Sequence, residues 1–168
     1  MANQLNQVWP AIPNSAIPSE PTNQKLWENE WTMYGTCCSS VAAISTLPTY
    51  FSTGLAYNTK YDVQGTLSKA AIVPDASKRY KVSQIASTLS GAFTVTPWIG
   101  CQGSTTDTQS LSQIIFCFDT SMNLISCTSQ MVVDDVTDFT TCDPNKQVFI
   151  FITISFLKLI FFYFLNFF

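Results

Sequence analysis

The chain has 168 residues, of which 46% are apolar, 14% aromatic and only 11% charged. Eight basic and eleven acidic residues give a net charge of −3, which excludes a strongly cationic nucleic-acid-binding surface over the whole protein. The aromatic content argues against disorder, and the length suits one domain with a real core. Because the chain contains no histidine, a Ser-His-Asp triad, a Cys-His pair and a histidine-ligated metal site are excluded.

The six cysteines are a second compositional signal. They lack the C-x-x-C spacing of zinc sites, so we expect neither a metal nor another cofactor. Their distribution is typical of disulfides formed in an oxidising compartment, yet the polar first residues do not resemble a signal peptide. A chain that begins inside a longer secreted protein reconciles the two observations. The cysteines are Cys37, Cys38, Cys101, Cys117, Cys127 and Cys142.

The first third of the chain predicts little regular structure. Residues 1–25 contain four prolines and are expected to form a loop. Apolar residues at spacings of three and four predict a short amphipathic helix from Leu26 to Tyr34. Gly35 is expected to end that helix as its C′ residue.

The middle of the chain predicts three further helices. The first covers residues 45–61, and Asp62 is expected to cap a second, short helix that stops near Pro74. The third begins near Ser83 and is marked by an apolar face at helical spacing. The members of that face are Val82, Ile85, Leu89 and Phe93.

Strands follow the helices. Residues 94–101 and 111–118 are rich in β-formers, and residues 119–123 are a turn signal before a partner strand over residues 124–127. Helices first and strands later favour an α+β fold over a doubly wound α/β fold.

One basic cluster interrupts this pattern. Lys78, Arg79 and Lys81 flank Tyr80. Three neighbouring cations could contact a phosphate, but the pattern favours a solvated loop.

The last 21 residues, from Val148 to Phe168, have a different composition. Seventeen are apolar, eight are phenylalanine, and Lys158 carries the only charge. A helix of this length could span a bilayer as a tail anchor, and a GPI-type signal is another alternative. The residue types are also those of A/T-rich codons, which favours translated non-coding DNA. An ordinary buried strand over Val148–Ile152 is the remaining alternative.

Residues 26–37 are far more specific than the composition. They read L-W-E-N-E-W-T-M-Y-G-T-C and resemble the second active-site segment of the ribonuclease T2 family, W-E-H-E-W-x-K-H-G-T-C in its plant members. The family's first segment, H-G-L-W-P, has no counterpart in this sequence. Further matches extend the resemblance over about residues 5 to 150. They are Gln7–Pro10, Tyr50–Thr53, Lys60–Val63, Ala71–Pro74, Cys117–Asp119 and the following Cys127.

The resemblance implies a ribonuclease T2-like α+β fold, an antiparallel sheet packed with helices and incomplete at the N-terminus. It also implies RNA as the partner. Family members use two histidines as general base and acid to form a 2′,3′-cyclic phosphate, assisted by a glutamate, a lysine and a further histidine. The second-segment histidine falls on Asn29, the acid is retained as Glu30, the lysine falls on Met33 and the last histidine on Tyr34.

Those replacements predict that catalysis is lost. Asn29 has no titratable proton, the ordinary pKa of a tyrosine such as the one at position 34 is about 10, and Met33 removes a cation from the place where phosphate charge develops. The alternative interpretation of this segment is structural. Trp27, Trp31 and Tyr34 would then pack in the core, with Glu30 as a solvated or capped acid.

The resemblance also implies two disulfides, Cys101 with Cys142 and Cys117 with Cys127. The partner that the family gives to Cys37 is missing, and Cys38 is an additional residue. Cys37 and Cys38 could each remain a free thiol or form a cross-link between molecules, and the free thiol is favoured.

The sequence therefore predicts a partial ribonuclease T2-like domain over residues 1–150 and a hydrophobic tail over residues 151–168. We expect a secreted or vacuolar protein that keeps the fold and weak RNA binding but no catalysis. A vegetative storage protein and a non-functional truncated gene product are the alternatives. A membrane is a partner only if the tail is genuine.

Overall fold

The computed structural model describes residues 1–11, 22–102, 109–128 and 140–150. Helices precede most of the strands, as the sequence predicts. The helices are α1 (Ala2–Val8), α2 (Asn23–Glu30), α3 (Leu47–Lys60), α4 (Val63–Lys69) and α5 (Val82–Phe93). The strands are β1 (Asp75–Lys81), β2 (Trp98–Gln102), β3 (Ser110–Ile115), β4 (Cys117–Phe118), β5 (Leu124–Ile125), β6 (Thr140–Thr141) and β7 (Gln147–Ile150).

Five strands form one sheet in the order β1-β7-β3-β2-β6, while β4 and β5 form a separate hairpin. The pairs of this sheet are antiparallel except that of β3 with β7, which is parallel. The expected α+β fold with a mostly antiparallel sheet is confirmed.

The main core lies between the helices and one face of the sheet. Successive residues of a strand point to opposite faces, and β3 shows this directly. Ile114 belongs to the main core, whereas Ile115 packs with Trp98 and Ile125 in a smaller cluster. The main core draws on α3, α4, α5 and the central strands through Tyr50, Phe51, Val63, Leu67, Ile85, Leu89, Ile99, Leu111, Ile114 and Val148.

Local sequence signals explain where the helices begin. Thr46 and Thr49 form a reciprocal capping box at the start of α3. The Asp62 carboxylate accepts the Gly65 N–H at 2.8 Å and caps α4, as predicted. In α5, Ile85 and Leu89 are fully buried, which confirms the predicted apolar face.

The prediction of a loop over residues 1–25 is wrong for residues 2–8 and 23–25, which are helical, while residues 12–21 lie outside the described residues. Residues 2–8 form α1, which leaves Leu5 only 4% exposed within the main core. The remaining α1 residues are exposed or half-buried. One buried apolar residue gives too weak a periodicity to predict a helix from the sequence, and the helix depends on packing against the rest of the protein.

The prediction that Gly35 ends the helix is also wrong. Gly35 has φ −66° and ψ −38°, which is right-handed helical backbone and not the left-handed conformation of a C′ glycine. The chain continues from α2 through a π-helical turn, Trp31–Gly35, into a 3₁₀ turn, Thr36–Cys38. A glycine stands here for a packing reason, because a Cβ at position 35 would collide with the Trp31 indole.

The basic cluster is a strand rather than the expected loop. Residues 75–81 form β1, which pairs with β7 about seventy residues later in the chain. Tyr80 is buried, while Lys78, Arg79 and Lys81 remain exposed. Alternation is visible only over residues 79–81, since the register shifts between Asp75 and Arg79. Long-range pairing, and not a strong local pattern, therefore defines this strand.

The alternative of a buried strand at Val148–Ile152 holds for the part that the structure describes. Gln147–Ile150 form β7 in the middle of the sheet, with Val148 fully buried. The hydrophobic stretch 151–168 lies outside the described residues. Within the described residues, no helix is both long enough and apolar enough to cross a membrane.

Both expected disulfides are present in the structure. Cys101 of β2 forms a disulfide with Cys142, 41 residues later and directly after β6. The bond therefore links the end of β6 to β2. Cys117 bonds Cys127, 10 residues later, across the predicted turn. That turn is held by the Asp119 carboxylate, which accepts the N–H groups of Ser121 and Asn123.

Candidate functional site

The segment that carries the family resemblance is fixed against the first helix. Thr22 caps α2 by accepting the Lys25 N–H at 3.2 Å. The indole N–H of Trp27 donates to the backbone carbonyl of Trp9 at 2.8 Å, just after α1. The side-chain carbonyl of Asn23 accepts the Ala11 N–H at 2.7 Å. These hydrogen bonds hold the start of α2 in place, so the residues that follow have a defined orientation.

The π-helical turn Trp31–Gly35 lies at the centre of the site. Such turns are rare in proteins and occur frequently at functional sites. Here Trp31 packs edge-on against Tyr50 of α3, with ring centroids 5.6 Å apart. The ring also covers the backbone of Gly35. The turn is therefore anchored to α3 by an aromatic contact.

One side of this helical segment faces solvent. Asn29 is exposed, and Met33, four residues later, has 61% of its surface exposed. Thr36 and Cys37 continue the exposed side. The positions where the resemblance places a histidine and a lysine, 29 and 33, therefore lie on the same open surface.

The other side is buried against α3. Glu30 is only 6% exposed, Tyr34 is half-buried, and Cys38 is 1% exposed. These residues are spaced by four and form a stripe that faces Tyr50, itself 1% exposed. The Cys38 thiol donates to the carbonyl of Tyr34 at 3.2 Å. Glu30 is therefore not the solvated acid of the structural interpretation, whereas the packing of Trp27 and Trp31 against the core agrees with that interpretation.

The electrostatics of the buried stripe oppose proton release. Burial, followed by the charges of Glu30, Cys38 and Tyr34, raises the pKa of the Tyr50 phenol far above its ordinary value. Burial, and then the neighbouring Cys37, raises the pKa of Cys38 to about 12. Both groups stay protonated near neutral pH and cannot act there as general bases.

The structure thus separates the four site residues that the resemblance predicts. Asn29 and Met33 share the open side, whereas Glu30 and the half-buried Tyr34 belong to the buried stripe. Tyr50 was not among the predicted site residues. Its signal was the Tyr50-Phe51 pair in the predicted helix, but only the folded chain places Tyr50 near Glu30.

The two cysteines outside the disulfides have different environments. Cys37 is exposed and Cys38 is buried, and both are free thiols in the structure. This agrees with the favoured expectation of free thiols. Cross-linking between molecules would have to use Cys37, the accessible one of the two.

The described residues contain no cluster of three or more acidic, cysteine or histidine side chains that could hold a metal ion. A groove of about 460 Å³ lies between α1 and α3. It is lined by Met1, Gln4, Val8, Leu55 and Thr59 among others. None of the four predicted site residues lines this groove.

The sequence and this fold identify the family. The model of the ribonuclease T2 family matches residues 1–127, and the chain belongs to that family. Ribonuclease T2 of Danio rerio is 30% identical over 126 residues, 74% of this chain and 50% of that protein. Ribonuclease 1 of Arabidopsis thaliana is 32% identical over 128 residues, 76% of this chain and 52% of that protein. The chain spans about half the length of these curated relatives.

Solved structures agree with this assignment. Human RNase T2 superposes with a TM-score of 0.71 at 23% identity, covering 89% of this chain and 70% of that one, and supports the fold alone. An RNase-related protein from Calystegia sepium gives a TM-score of 0.63 at 28% identity over 88% of this chain and 65% of that one. A mutant of RNase MC1 in complex with 5′-GMP superposes with a TM-score of 0.60 at 26% identity. The match covers 76% of this chain and 62% of that one.

Proposed function

We propose that this chain is a non-catalytic ribonuclease T2-family protein that binds RNA without cleaving it. The observation that carries the proposal is the exposure of Asn29 and Met33 at the positions where the family resemblance places a histidine and a lysine. Neither side chain ionises. The open surface of the site therefore has no proton carrier and no cation at these two positions.

The buried side of the site supports the same conclusion. A positioned acid or base contributes about 10²–10⁴-fold to such a reaction, and it works best with a pKa near the operating pH. The pKa values of Tyr50 and Cys38 are raised away from neutrality. Glu30 is the retained acid, but the 168-residue sequence contains no histidine with which it could act.

RNA binding does not depend on these proton carriers. Proteins bind single-stranded RNA through phosphate contacts, hydrogen bonds to base edges and stacking on flat side chains. Mutants of a similar protein, RNase MC1, are known in complexes with 5′-GMP and 5′-UMP. Loss of the catalytic histidines therefore removes the chemistry and leaves a fold whose relatives hold nucleotides.

The proposal concerns residues 1–150 as a partial ribonuclease T2-like domain, with residues 151–168 as a separate hydrophobic tail. We propose that this domain is secreted or vacuolar, because two disulfides fit an oxidising compartment. The similar extracellular ribonuclease LE of Solanum lycopersicum, 30% identical over 128 residues, supports the same location.

A storage role is the second candidate. It is supported by the loss of proton carriers, which a storage protein does not need. Quantitative mass spectrometry of the source tissue separates the two candidates. A storage protein accumulates to a large share of total protein, whereas an RNA-binding protein does not need to.

The test combines binding and cleavage in one sample of the 168-residue chain. A fluorescent single-stranded oligoribonucleotide is followed by anisotropy and is then run on a denaturing gel. The proposal predicts saturable binding and an intact oligonucleotide. The same sequence as DNA lacks the 2′-hydroxyl and serves as the uncleavable control. Rapid conversion of the RNA into fragments, or no binding at any concentration, would contradict the proposal.

A further inference from the structure

The basic residues of this chain lie away from the candidate site. No lysine or arginine occurs between Leu26 and Cys38. Four of the eight basic residues instead meet where β1 pairs with β7. Three are on β1, and the fourth, Lys146, precedes β7, where its carbonyl accepts the Val82 N–H at 3.0 Å. These four residues, Lys78, Arg79, Lys81 and Lys146, are called the β1–β7 basic patch below.

The strand register directs two of these cations to solvent. Tyr80 pairs with Val148, and both are buried in the main core. Their neighbours Arg79 and Lys81, which pair with Phe149 and Gln147, therefore point to the opposite face of the sheet. Both cations are exposed. Arg79 and Lys81 are two positions apart on the strand, so the rise along the strand between them is about 7 Å. This distance suits contacts to successive phosphates of an extended nucleic-acid chain.

The β1–β7 basic patch carries a net positive charge, although the net charge of the protein is negative. The Asp75 carboxylate lies 3.5 Å from the Lys78 ammonium group and forms an ion pair with it. Asp143 is also near, since its backbone carbonyl accepts the Lys146 N–H at 3.0 Å. Among the described residues, no carboxylate lies within ion-pair distance of Arg79 or Lys81. Four cations and two carboxylates leave a positive surface on a chain of net charge −3.

An aromatic ring completes the surface. The guanidinium carbon of Arg79 lies 4.5 Å from the centre of the Phe149 ring, a cation–π contact across the strand pair. Arginine planes and aromatic rings are the surfaces on which unpaired bases stack. The combination of strand-spaced cations with a stacked arginine favours a single-stranded nucleic acid over a lipid surface, which needs no flat platform.

We propose that the β1–β7 basic patch is the surface through which this protein binds single-stranded RNA. This inference rests on the RNA-binding function proposed above and names the residues that carry it. Arg79 and Lys81 contact neighbouring phosphates, and the plane formed by Arg79 on Phe149 supports a base. Binding is therefore independent of Asn29, Glu30 and the rest of the former catalytic segment.

The test measures anisotropy of a labelled oligoadenylate of about ten nucleotides with the 168-residue chain, between about 50 and 200 mM salt. The patch variant is Arg79→Gln with Lys81→Gln. The charge-matched control is Lys60→Gln with Lys69→Gln, at two exposed lysines near the ends of α3 and α4. Thermal unfolding of each variant verifies that it is folded.

The patch variant is expected to bind the oligoadenylate about tenfold more weakly than the wild type. Because two phosphate contacts are lost, the slope of log affinity against log salt concentration becomes shallower by about 1.4. The control stays within about twofold of the wild type. Phe149→Leu keeps the charges, so it weakens binding while the salt slope stays unchanged.

The other outcomes are distinguishable. If the wild type binds RNA and both double variants bind RNA as tightly as the wild type, the role of the patch is overturned and the proposed function stands. If the wild type binds no RNA, the proposed function fails and the inference with it. Vesicles of phosphatidylserine and phosphatidylcholine are the second arm. Loss of vesicle binding in the patch variant, with RNA binding unchanged, would overturn the inference in favour of a membrane surface.

Discussion

The indole ring of Trp31 lies against the backbone of Gly35, in the space that a side chain at position 35 would need. The same ring meets Tyr50 of α3 edge-on at 5.6 Å, so it cannot swing aside without losing that contact. This pair joins the π-helical turn to the helix behind it. The orientation of the whole candidate site depends on the contact.

Gly35→Ala is therefore expected to destabilise the protein by about 1–3 kcal/mol, the usual cost of inserting a methyl group into a packed region. Gly91→Ala is the matched control. Gly91 lies in α5 with open space around it, so alanine should stabilise there by roughly 0.5–1 kcal/mol through its better helix propensity. Urea unfolding followed by circular dichroism measures both. Equal effects of the two substitutions would contradict the packing role of Gly35.

The two disulfides should differ in their contribution to stability. The chain-entropy model gives roughly 4 kcal/mol for the 41-residue separation of Cys101 and Cys142, and roughly 3 kcal/mol for the 10-residue separation of Cys117 and Cys127. Replacing each pair by alanine and measuring urea unfolding tests this order. The wild type should unfold in a cooperative transition, which a gene product that does not fold would lack. A larger loss from the shorter loop would contradict the order.

The two free cysteines should differ in reactivity. Iodoacetamide, applied to the native protein at about pH 8 without reductant, is expected to modify Cys37 and leave Cys38 unmodified, because only the exposed thiol is accessible and burial disfavours the Cys38 thiolate. Peptide mass spectrometry identifies the modified residue, and the same reaction in urea should label both. Modification of Cys38 in the native protein would show that the buried stripe opens.

Stability should fall on the alkaline side. The pKa of Cys38 is raised in the folded state from 9.0 to about 12, so the folded protein holds this proton more tightly than the unfolded chain. This stabilisation is complete below about pH 9 and is lost as the pH rises toward 12. Tyr50 acts in the same direction. Each group lowers the free energy of unfolding by at most about 1.4 kcal/mol per pH unit.

Urea unfolding between about pH 8 and pH 11 measures this slope. Cys38→Ala removes one of the titrating groups and should flatten the slope. Ser39→Ala, at an exposed neighbouring position that does not titrate, should leave the slope as in the wild type. The same slope in both variants would mean that Cys38 does not carry the effect.

Much of the fold could be predicted where the local sequence and the final packing agree. Asp62 is a strong cap, the apolar face of α5 is regular, and the turn at Asp119 is closed by its own carboxylate. Helix α1 and strand β1 could not be predicted, because each depends on distant partners. Leu5 is the sole buried residue of α1, and β1 needs β7 beside it.

The candidate site shows the same division. The resemblance could locate Asn29, Glu30, Met33 and Tyr34 by their order in the segment. It could not show that the first and third are open to solvent while Glu30 is buried against Tyr50. The helical spacing of residues 26–34 already places positions 29 and 33 on one side and position 30 on the other, but the approach of Glu30 to Tyr50 arises from packing on α3, which no local pattern encodes.

We expect that this chain does not perform the transphosphorylation of its family. The most direct measurement is a time course of RNA cleavage by the 168-residue chain and by Glu30→Ala, purified in parallel, with chromatography of 2′,3′-cyclic phosphate ends. We predict no cyclic phosphate above the buffer control with either protein, and equal traces in both would indicate a contaminating ribonuclease. Cleavage by the wild type that disappears with Glu30→Ala would contradict the account, because it would require a histidine-free mechanism at this site.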